Sequence, residues 1–454
     1  MHAKDVMLGK ESIGNLIVKL SVPAIVGLMV QALYNLVDTI FIGRGLGEQS
    51  MLGIAGISVA FPVQILMMAI ALGVGIGGSS IISRALGKKD ILKAERTVAN
   101  MITLVLVASI AFTALALVFL DPMLRVFGAS DTVLPFANEY TRYIVIGTTF
   151  FTFSAAMSNA IRAEGNTRFA MGIMVLSSIA NIILDPLFIF EFGMGVKGAA
   201  IATVISQVIG CIMVIYYYAS SMSRVNLIVA YMRPDTGILS ETISIGMSEF
   251  VFNVVESGLF LIFNQSLLFY GGDVAIAVFG IVIKVFMLTL MPIIGIKQGI
   301  QPIVGYNYGA NEFARVKKTI SLSNYIVTGI CILSTVVVFL IPEEIMRVFS
   351  NDPQLIEMGI TALKISFLMM PFIGYQVVAT ALLQSLGKSK GSLIVTLSRQ
   401  IIFLPPLVII LPWFFGLNGI WISFPISDFL ACVVAVLITR KEIDMMKHEN
   451  AEKI

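Results

Sequence analysis

Histidine is almost missing from this chain of 454 residues: His2 and His448 are the two present, one near each end. A metal site, general base or catalytic triad built on imidazole therefore has no residue to use in the body of the chain. Cysteine is nearly as rare. Cys211, Cys331 and Cys432 fall inside apolar stretches, where they read as small packing residues, and no disulfide framework is implied. No phosphate-cradling G-x-x-x-x-G-K-S/T loop occurs, which argues against drive by ATP. Gly73, Gly75 and Gly78 have the spacing of a dinucleotide fingerprint, but no strand precedes them and helix packing accounts for the pattern. Charge is scarce too: 13% of residues are Asp, Glu, Lys or Arg, against about 25% in ordinary soluble chains. Without a nucleophile, base or metal constellation, neither an enzyme nor a cofactor is expected.

What is present in excess is apolar residues, 57% of the total. They gather into twelve stretches near the roughly 20 residues needed to cross a hydrocarbon core. The first six are 17–42, 54–83, 97–120, 133–161, 169–191 and 197–219; the second six are 241–269, 274–304, 319–341, 355–383, 391–414 and 417–439. An all-α integral membrane protein with twelve transmembrane helices is expected. The first stretch is long and lacks a small-residue cleavage pattern, so it reads as a retained helix rather than a signal. Placing both termini in the cytoplasm puts twenty basic residues, Lys4 and Lys453 among them, inside and leaves Arg44, Arg125, Lys197 and Arg347 outside. The net charge of +3 is then topology, and no nucleic-acid partner is implied.

Part of the chain is written twice. One constant offset of 222 residues carries Leu124-Arg125-Val126-Phe127 onto Met346-Arg347-Val348-Phe349, and Gly73, Gly77, Gly87 and Gly165 onto Gly295, Gly299, Gly309 and Gly387. Two six-helix lobes follow, 12–219 and 241–440, joined by a cytoplasmic linker at 220–240 and followed by a tail at 441–454. The linker reads as partly an interfacial amphipathic helix through Val225, Leu227, Ile228 and Tyr231. With six spans each, both lobes enter from one side, a parallel repeat of the sort that encloses an alternating-access cavity.

Ionisable side chains inside a bilayer are costly and mark functional positions by default. Asp38 on the first span, Asp185 on the fifth and Thr203 on the sixth lie about 6–9 Å below the outer boundary at ~1.5 Å per residue. Asn181 shares a helix face with Asp185, four residues away, as Asn35 does with Asp38. These carboxylates, amides and hydroxyl suit a sodium ion held by hard oxygen ligands, or a shared proton. In the second half Glu256 and Lys284 lie at mid-membrane depth and can form an ion pair, and Asp428 is equally deep. Arg142 and Lys364, equivalent under the offset, read as snorkelling bases, and so do Lys297 and Arg399. The 30 Phe and 24 Met can build an adaptable apolar pocket.

Pro23 to Gly43, with Asn35-Leu-Val-Asp38-Thr-Ile-Phe-Ile-Gly43, Asn181 to Pro186, Gly193-Met-Gly-Val-Lys-Gly-Ala-Ala200, and Gln298-Gly-Ile-Gln-Pro302 before Tyr306-Asn-Tyr-Gly-Ala310 resemble the bacterial multidrug and toxic compound extrusion (MATE) transporters. The resemblance runs from about residue 12 to 440. It implies a V-shaped pair of six-helix lobes in the bacterial plasma membrane, working as a monomer among lipids and exporting small, often cationic, amphipathic compounds against inward Na+ or H+. The family's N-lobe cation site matches Asp38, Asn181, Asp185 and Thr203, and Glu256 matches an acid some members carry on the seventh helix. The chain departs from members with an acid on the tenth helix, because Thr361 to Leu383 contains none. A flippase for a lipid-linked sugar, from the same superfamily, is the alternative; it calls for several bases facing the cavity, where only Lys284 is at mid-membrane.

Overall fold

With no water to satisfy backbone N–H and C=O groups, an apolar stretch in a bilayer must close its hydrogen bonds within itself. The computed structural model describes residues 3–45 and 50–451, and among these there is helix and no strand. His2 and Lys453 lie outside the described residues. In order the helices are α1 Ala3–Lys10, α2 Ile13–Gly45, α3 Ser50–Gly87, α4 Ile91–Val118, α5 Leu120–Val126, α6 Leu134–Ile146, α7 Thr148–Ala163, α8 Thr167–Pro186 and α9 Gly195–Ala219. There follow α10 Thr236–Gly309, α11 Phe313–Leu340, α12 Pro342–Phe349, α13 Pro353–Phe367, α14 Met370–Ser385, α15 Ser389–Leu397, α16 Leu404–Ile410, α17 Pro412–Phe415 and α18 Leu417–Ala451. Helix α10 contains a break at Gly272 (φ 65°) that separates two spans. Ten helical stretches are long and apolar enough to cross a membrane, and the bent pairs α6/α7 and α13/α14 complete the expected twelve.

The chain forms two compact units: residues from Val26 to Asn253, and residues up to Ile25 together with those from Val254 onward. These boundaries differ from those the repeat suggests, because the first part of α2 packs with the second half of the sequence and the first part of α10 with the first half. Glycine makes both contacts possible. In the first-half unit, a Cβ on Gly77 would lie 2.0 Å from the Thr242 carbonyl oxygen, and one on Gly246 would lie 1.7 Å from that of Gly73. In the other unit, Gly295 meets Ile25 and Gly299 meets Ser21, with a Cβ coming within 2.4 Å and 2.3 Å. Small residues of this kind let helix backbones touch. Thus the glycines repeated at offset 222 grip equivalent half-helices. Charged residues close the ends: Lys93 and Arg84 bind Glu241 at 3.2 and 2.9 Å. Arg315, the equivalent of Lys93, donates to the carbonyls of Glu11 and Leu8 at 2.8 and 3.1 Å.

The repeat extends to the bends. The helix axis turns by 52° between α6 and α7 and by 47° between α13 and α14. At the first bend Thr113 Oγ1 donates to the Val145 carbonyl (3.1 Å), and at the second Thr335 Oγ1 donates to that of Phe367 (3.3 Å). Thr113 and Val145 map onto Thr335 and Phe367 at the same offset, so each kink has a hydroxyl to satisfy a carbonyl released by the bend. Left-handed backbone also repeats, at Gly165 (φ 84°) and Gly387 (φ 76°). Glycine is suited to such turns because it has no Cβ to clash.

The linker differs from the sequence expectation. Before α10 begins at Thr236, its helical content is one short 3₁₀ turn, Val229–Met232, and Val225 is buried while Leu227 and Val229 are exposed. Side chains of the first-half unit satisfy its backbone. Glu95 accepts from the Asn226 N–H, Asn100 donates to the Tyr231 carbonyl and accepts from the Asp235 N–H, and Thr103 donates to the Met232 carbonyl. The Glu164 carboxylate, fully buried, accepts from Tyr217, Ser223 and the Arg224 N–H. A polar backbone fixed this way does not need an amphipathic helix.

Candidate functional site

Helix α8 carries Asn181 and Asp185 on one face and ends at Pro186. Proline has no N–H to continue the ladder, and the chain passes into a π-helical turn, Leu187–Glu191, in which the Phe192 N–H bonds to the Leu187 carbonyl. Wide turns of this kind are frequent at functional sites. Helix α9 packs along α8 and brings Thr203 to Asn181. Asn181 Nδ2 donates to Asp185 Oδ1 at 3.1 Å and to Thr203 Oγ1 at 3.4 Å. From α2, Asp38 completes the group, its carboxyl within hydrogen-bonding reach of Asp185.

All of this is inside the protein. Asp185 and Asn181 are 0% and 1% exposed and Asp38 is 8% exposed. Three oxygens in the cluster, Asp38 Oδ1, Asn181 Oδ1 and Asp185 Oδ2, accept a hydrogen bond from no N–H or hydroxyl donor of the protein. Buried acceptors are normally satisfied, because leaving one unpaired costs about 1–3 kcal/mol. Three together, two of them on carboxyl groups, form a set of hard oxygen donors suited to a monovalent cation or a proton. No group of three or more His, Cys, Asp and Glu placed to hold a metal ion gathers among the described residues.

Two tyrosines stand beside the carboxyls without having been singled out by the sequence. Tyr34, one turn before Asp38, and Tyr140 on α6 both interact electrostatically with Asp38 and Asp185. Gln64 Nε2 donates to the Tyr140 hydroxyl at 3.3 Å. Tyr140 otherwise belongs to an apolar cluster with Ala60, Met67, Ile144, Ile189 and Val196. That wall excludes water from the carboxyls on one side. The four-residue spacing of Tyr34 and Asp38 was the one available signal. Tyr140 offered none, since helix periodicity does not say which helix comes next to which.

The other candidates stand apart. Glu256 is half-buried and Lys284 is exposed, both on α10, and no ion pair among the described residues joins them. Arg142 lines a shallow cavity of about 530 Å³ with Asp121, Asn138, Glu139 and Tyr143. Arg399 departs from the snorkelling role: its Nε donates to Asp428 Oδ1 at 2.6 Å, and Asp428 is fully buried. The side chain of Asn35 lies outside what the structure describes.

Twelve spans in two repeated sets, with an acid pair buried between helices, define a multi-pass membrane transporter. The MatE family model matches residues 23–187 and 250–409. The chain belongs to the MATE transporter family. It is 28% identical over 443 residues to the multidrug export protein MepA of Staphylococcus saprophyticus, covering 98% of this chain and 97% of that one. To MepA of Staphylococcus haemolyticus it is 29% identical over 430 residues, covering 94% of each. Among solved structures, a MATE protein in the bent conformation superposes with a TM-score of 0.92 at 27% identity, over 99% of this chain and 100% of the other. The MATE multidrug transporter DinF-BH in complex with the dye rhodamine 6G matches at a TM-score of 0.89 and 42% identity, over 95% and 96%.

Proposed function

We propose that this protein exports small organic compounds, cationic or amphipathic, by antiport with Na+ or H+ moving inward, and that the cation binds at Asp38, Asn181, Asp185 and Thr203. The observation that carries this reading is the set of three unpartnered oxygens on one buried cluster. Two carboxylates at close range in a low-dielectric site repel, and a cation removes that repulsion. Its arrival draws α2, α8 and α9 onto one centre, and the wide turn after Pro186 takes up the change. Drug affinity then depends on cation occupancy, and by linkage the drug weakens cation binding by the same factor, typically about 5–150-fold. Homologues named for multidrug export, and one seen with a bound dye, support the substrate class. In this reading the protein works as a monomer in a bacterial plasma membrane with both termini in the cytoplasm.

The test is efflux of rhodamine 6G from proteoliposomes under separately imposed sodium and pH gradients. One or both gradients should drive efflux in the unaltered protein, and Asp38→Asn should abolish the driven component while dye binding persists. Gradient-driven efflux that survives Asp38→Asn undiminished would sink the mechanism.

A further inference from the structure

The N-terminal acid pair is not the only buried charge beside a wide turn. In the unit that contains the second half, α15 ends in a π-helical turn, Ser398–Phe403, where the Leu404 N–H reaches the Arg399 carbonyl. Pro405 and Pro406 follow and withhold the N–H groups that would restore a regular ladder. Arg399, near the start of this turn, holds Asp428 of α18 through Nε at 2.6 Å, and its Nη1 donates to Gln400 Oε1 at 3.3 Å. Gln376 of α14 donates to the backbone carbonyl of Asp428 at 2.7 Å.

Two features separate this pair from a structural neutralisation. Asp428 is 0% exposed, yet its Oδ2 has no hydrogen-bond partner. Arginine can meet a carboxylate with two parallel bonds, but this pair uses one and leaves a buried acceptor idle. Secondly, Gln376, Thr380 and Gln384 recur every four residues along α14, all buried, and Gln384 accepts from Gln301 at 3.0 Å. They set three buried polar side chains along one face of α14, from Gln376 beside Asp428 toward the turn at 386–388, with Thr380 Oγ1 donating to the Gln376 carbonyl at 2.9 Å. The helix pairs correspond as well. Offset 222 carries Ser206, one turn from Thr203 on α9, onto Asp428, so the two units carry buried polar sites on equivalent helix pairs next to a wide turn.

We propose that Asp428 and Arg399 form a second proton-binding charge site, carried wholly by the unit containing the second half. A proton from water adds to Oδ2, the carboxylate becomes a neutral acid, and the site passes from zero net charge to +1, held by Arg399. The loosened Arg399 no longer ties α18 to the 398–403 turn. Besides Arg399, the titratable group beside Asp428 is Cys432, one turn along the same helix. No hydrogen bond or ion pair among the described residues joins Asp428 to Glu357 or Lys364 on α13, or to Lys390 on α15. Its part in coupling rests on the antiport reading above; its protonation does not.

Infrared difference spectra of the purified full-length protein in lipid, stepped from alkaline to acidic buffer, test the site directly. One component of the carbonyl band of protonated carboxyls should persist in Asp38→Asn and be lost in Asp428→Asn. Arg399→Gln should move the buffer pH at which it appears, with Arg399→Lys returning it. Identical bands in the unaltered protein and Asp428→Asn overturn the proposal. Should Asp428→Asn fail to fold, Asp428→Glu must change the band's frequency, and an unchanged band overturns it equally. In proteoliposomes, rhodamine 6G efflux driven by a pH gradient should fall about fivefold or more in Asp428→Asn; undiminished efflux refutes the coupling role. A protein driven by sodium alone also refutes that role, while the infrared band still decides whether Asp428 takes the proton.

Discussion

Gly246 is the position at which one added methyl group should do most damage. A Cβ there would sit 1.7 Å from the Gly73 carbonyl oxygen and 2.6 Å from its carbon. Carbon and oxygen need more than 3 Å, so α3 and the first part of α10 would have to separate by over an ångström along their closest line. No side chain can rotate away, because the obstacle is backbone. Overpacking where neighbours can yield costs about 1–3 kcal/mol, and a rigid backbone obstacle puts Gly246→Ala at or above the upper end, about 3 kcal/mol. Gly172, on α8 in the same unit, is the control: a Cβ there meets nothing within 4 Å. Alanine is preferred over glycine in a helix by about 1 kcal/mol, so Gly172→Ala should be neutral or mildly stabilising. The two variants should therefore differ by about 3–4 kcal/mol, or roughly 6–16 °C in midpoint for a unit of this size. Thermal unfolding of the purified protein in one detergent, followed by tryptophan or thiol-reactive fluorescence, measures the difference. Equal midpoints for Gly246→Ala and Gly172→Ala would refute the claim that backbone contact fixes this part of α10 to the first-half unit.

The kinks make a paired prediction: Thr113→Val and Thr335→Val each remove the hydroxyl but keep the shape, so each should cost about 0.5–1.5 kcal/mol and lower rhodamine 6G efflux, with Thr→Ser restoring both. The two losses should add in the double variant, since the sites are separate; an effect confined to one bend would mean that the repeat is only geometric. In the linker, Asn100→Ala strips partners from the Tyr231 carbonyl and the Asp235 N–H at once, at about 1–3 kcal/mol, and limited trypsin treatment should then cut sooner at Arg233. Cleavage at the same rate as in the unaltered protein would show that the other anchors suffice.

How much of this was legible beforehand depends on the range of the interaction. Spans follow from hydropathy alone, and the sequence places all twelve. The pairing of Asn181 with Asp185 follows from a four-residue spacing on one helix, and the structure places Asp38 and Thr203 beside them, as equal depth suggests. Depth alone does not decide whether Glu256 meets Lys284; in the structure Glu256 is half-buried and Lys284 exposed. It also misjudged Arg399. A base near a helix end snorkels when water is the nearest partner, but the wide turn before Pro405 directs this one inward to Asp428. Which side a residue faces depends on helix rotation, and rotation is set by neighbours that periodicity does not name.

The repeat supplies the reason why some features survive in both halves and others do not. Gly73 and Gly77 on α3, and Gly295 and Gly299 on α10, each face a backbone from the opposite half of the sequence. An alanine at Gly77, Gly295 or Gly299 would displace the facing helix, and Gly73 lends its carbonyl to the contact with Gly246, so each half has a packing reason of its own for its pair. The threonines at the two bends are similarly constrained, since a bend of about 50° releases a carbonyl wherever it occurs. A buried carboxylate has no such backbone obligation; replacing a whole buried ion pair by well-packed apolar residues is often neutral for stability, although removing one partner alone costs about 3–5 kcal/mol. Offset 222 accordingly carries Asp38 to Phe260 and Asp185 to Leu407, with no acid at either. The scaffold glycines and threonines thus recur while the buried acids do not: Asp428, with its idle oxygen, falls on Ser206 under the same offset, and in this it resembles Asp38 and Asp185 rather than the glycines.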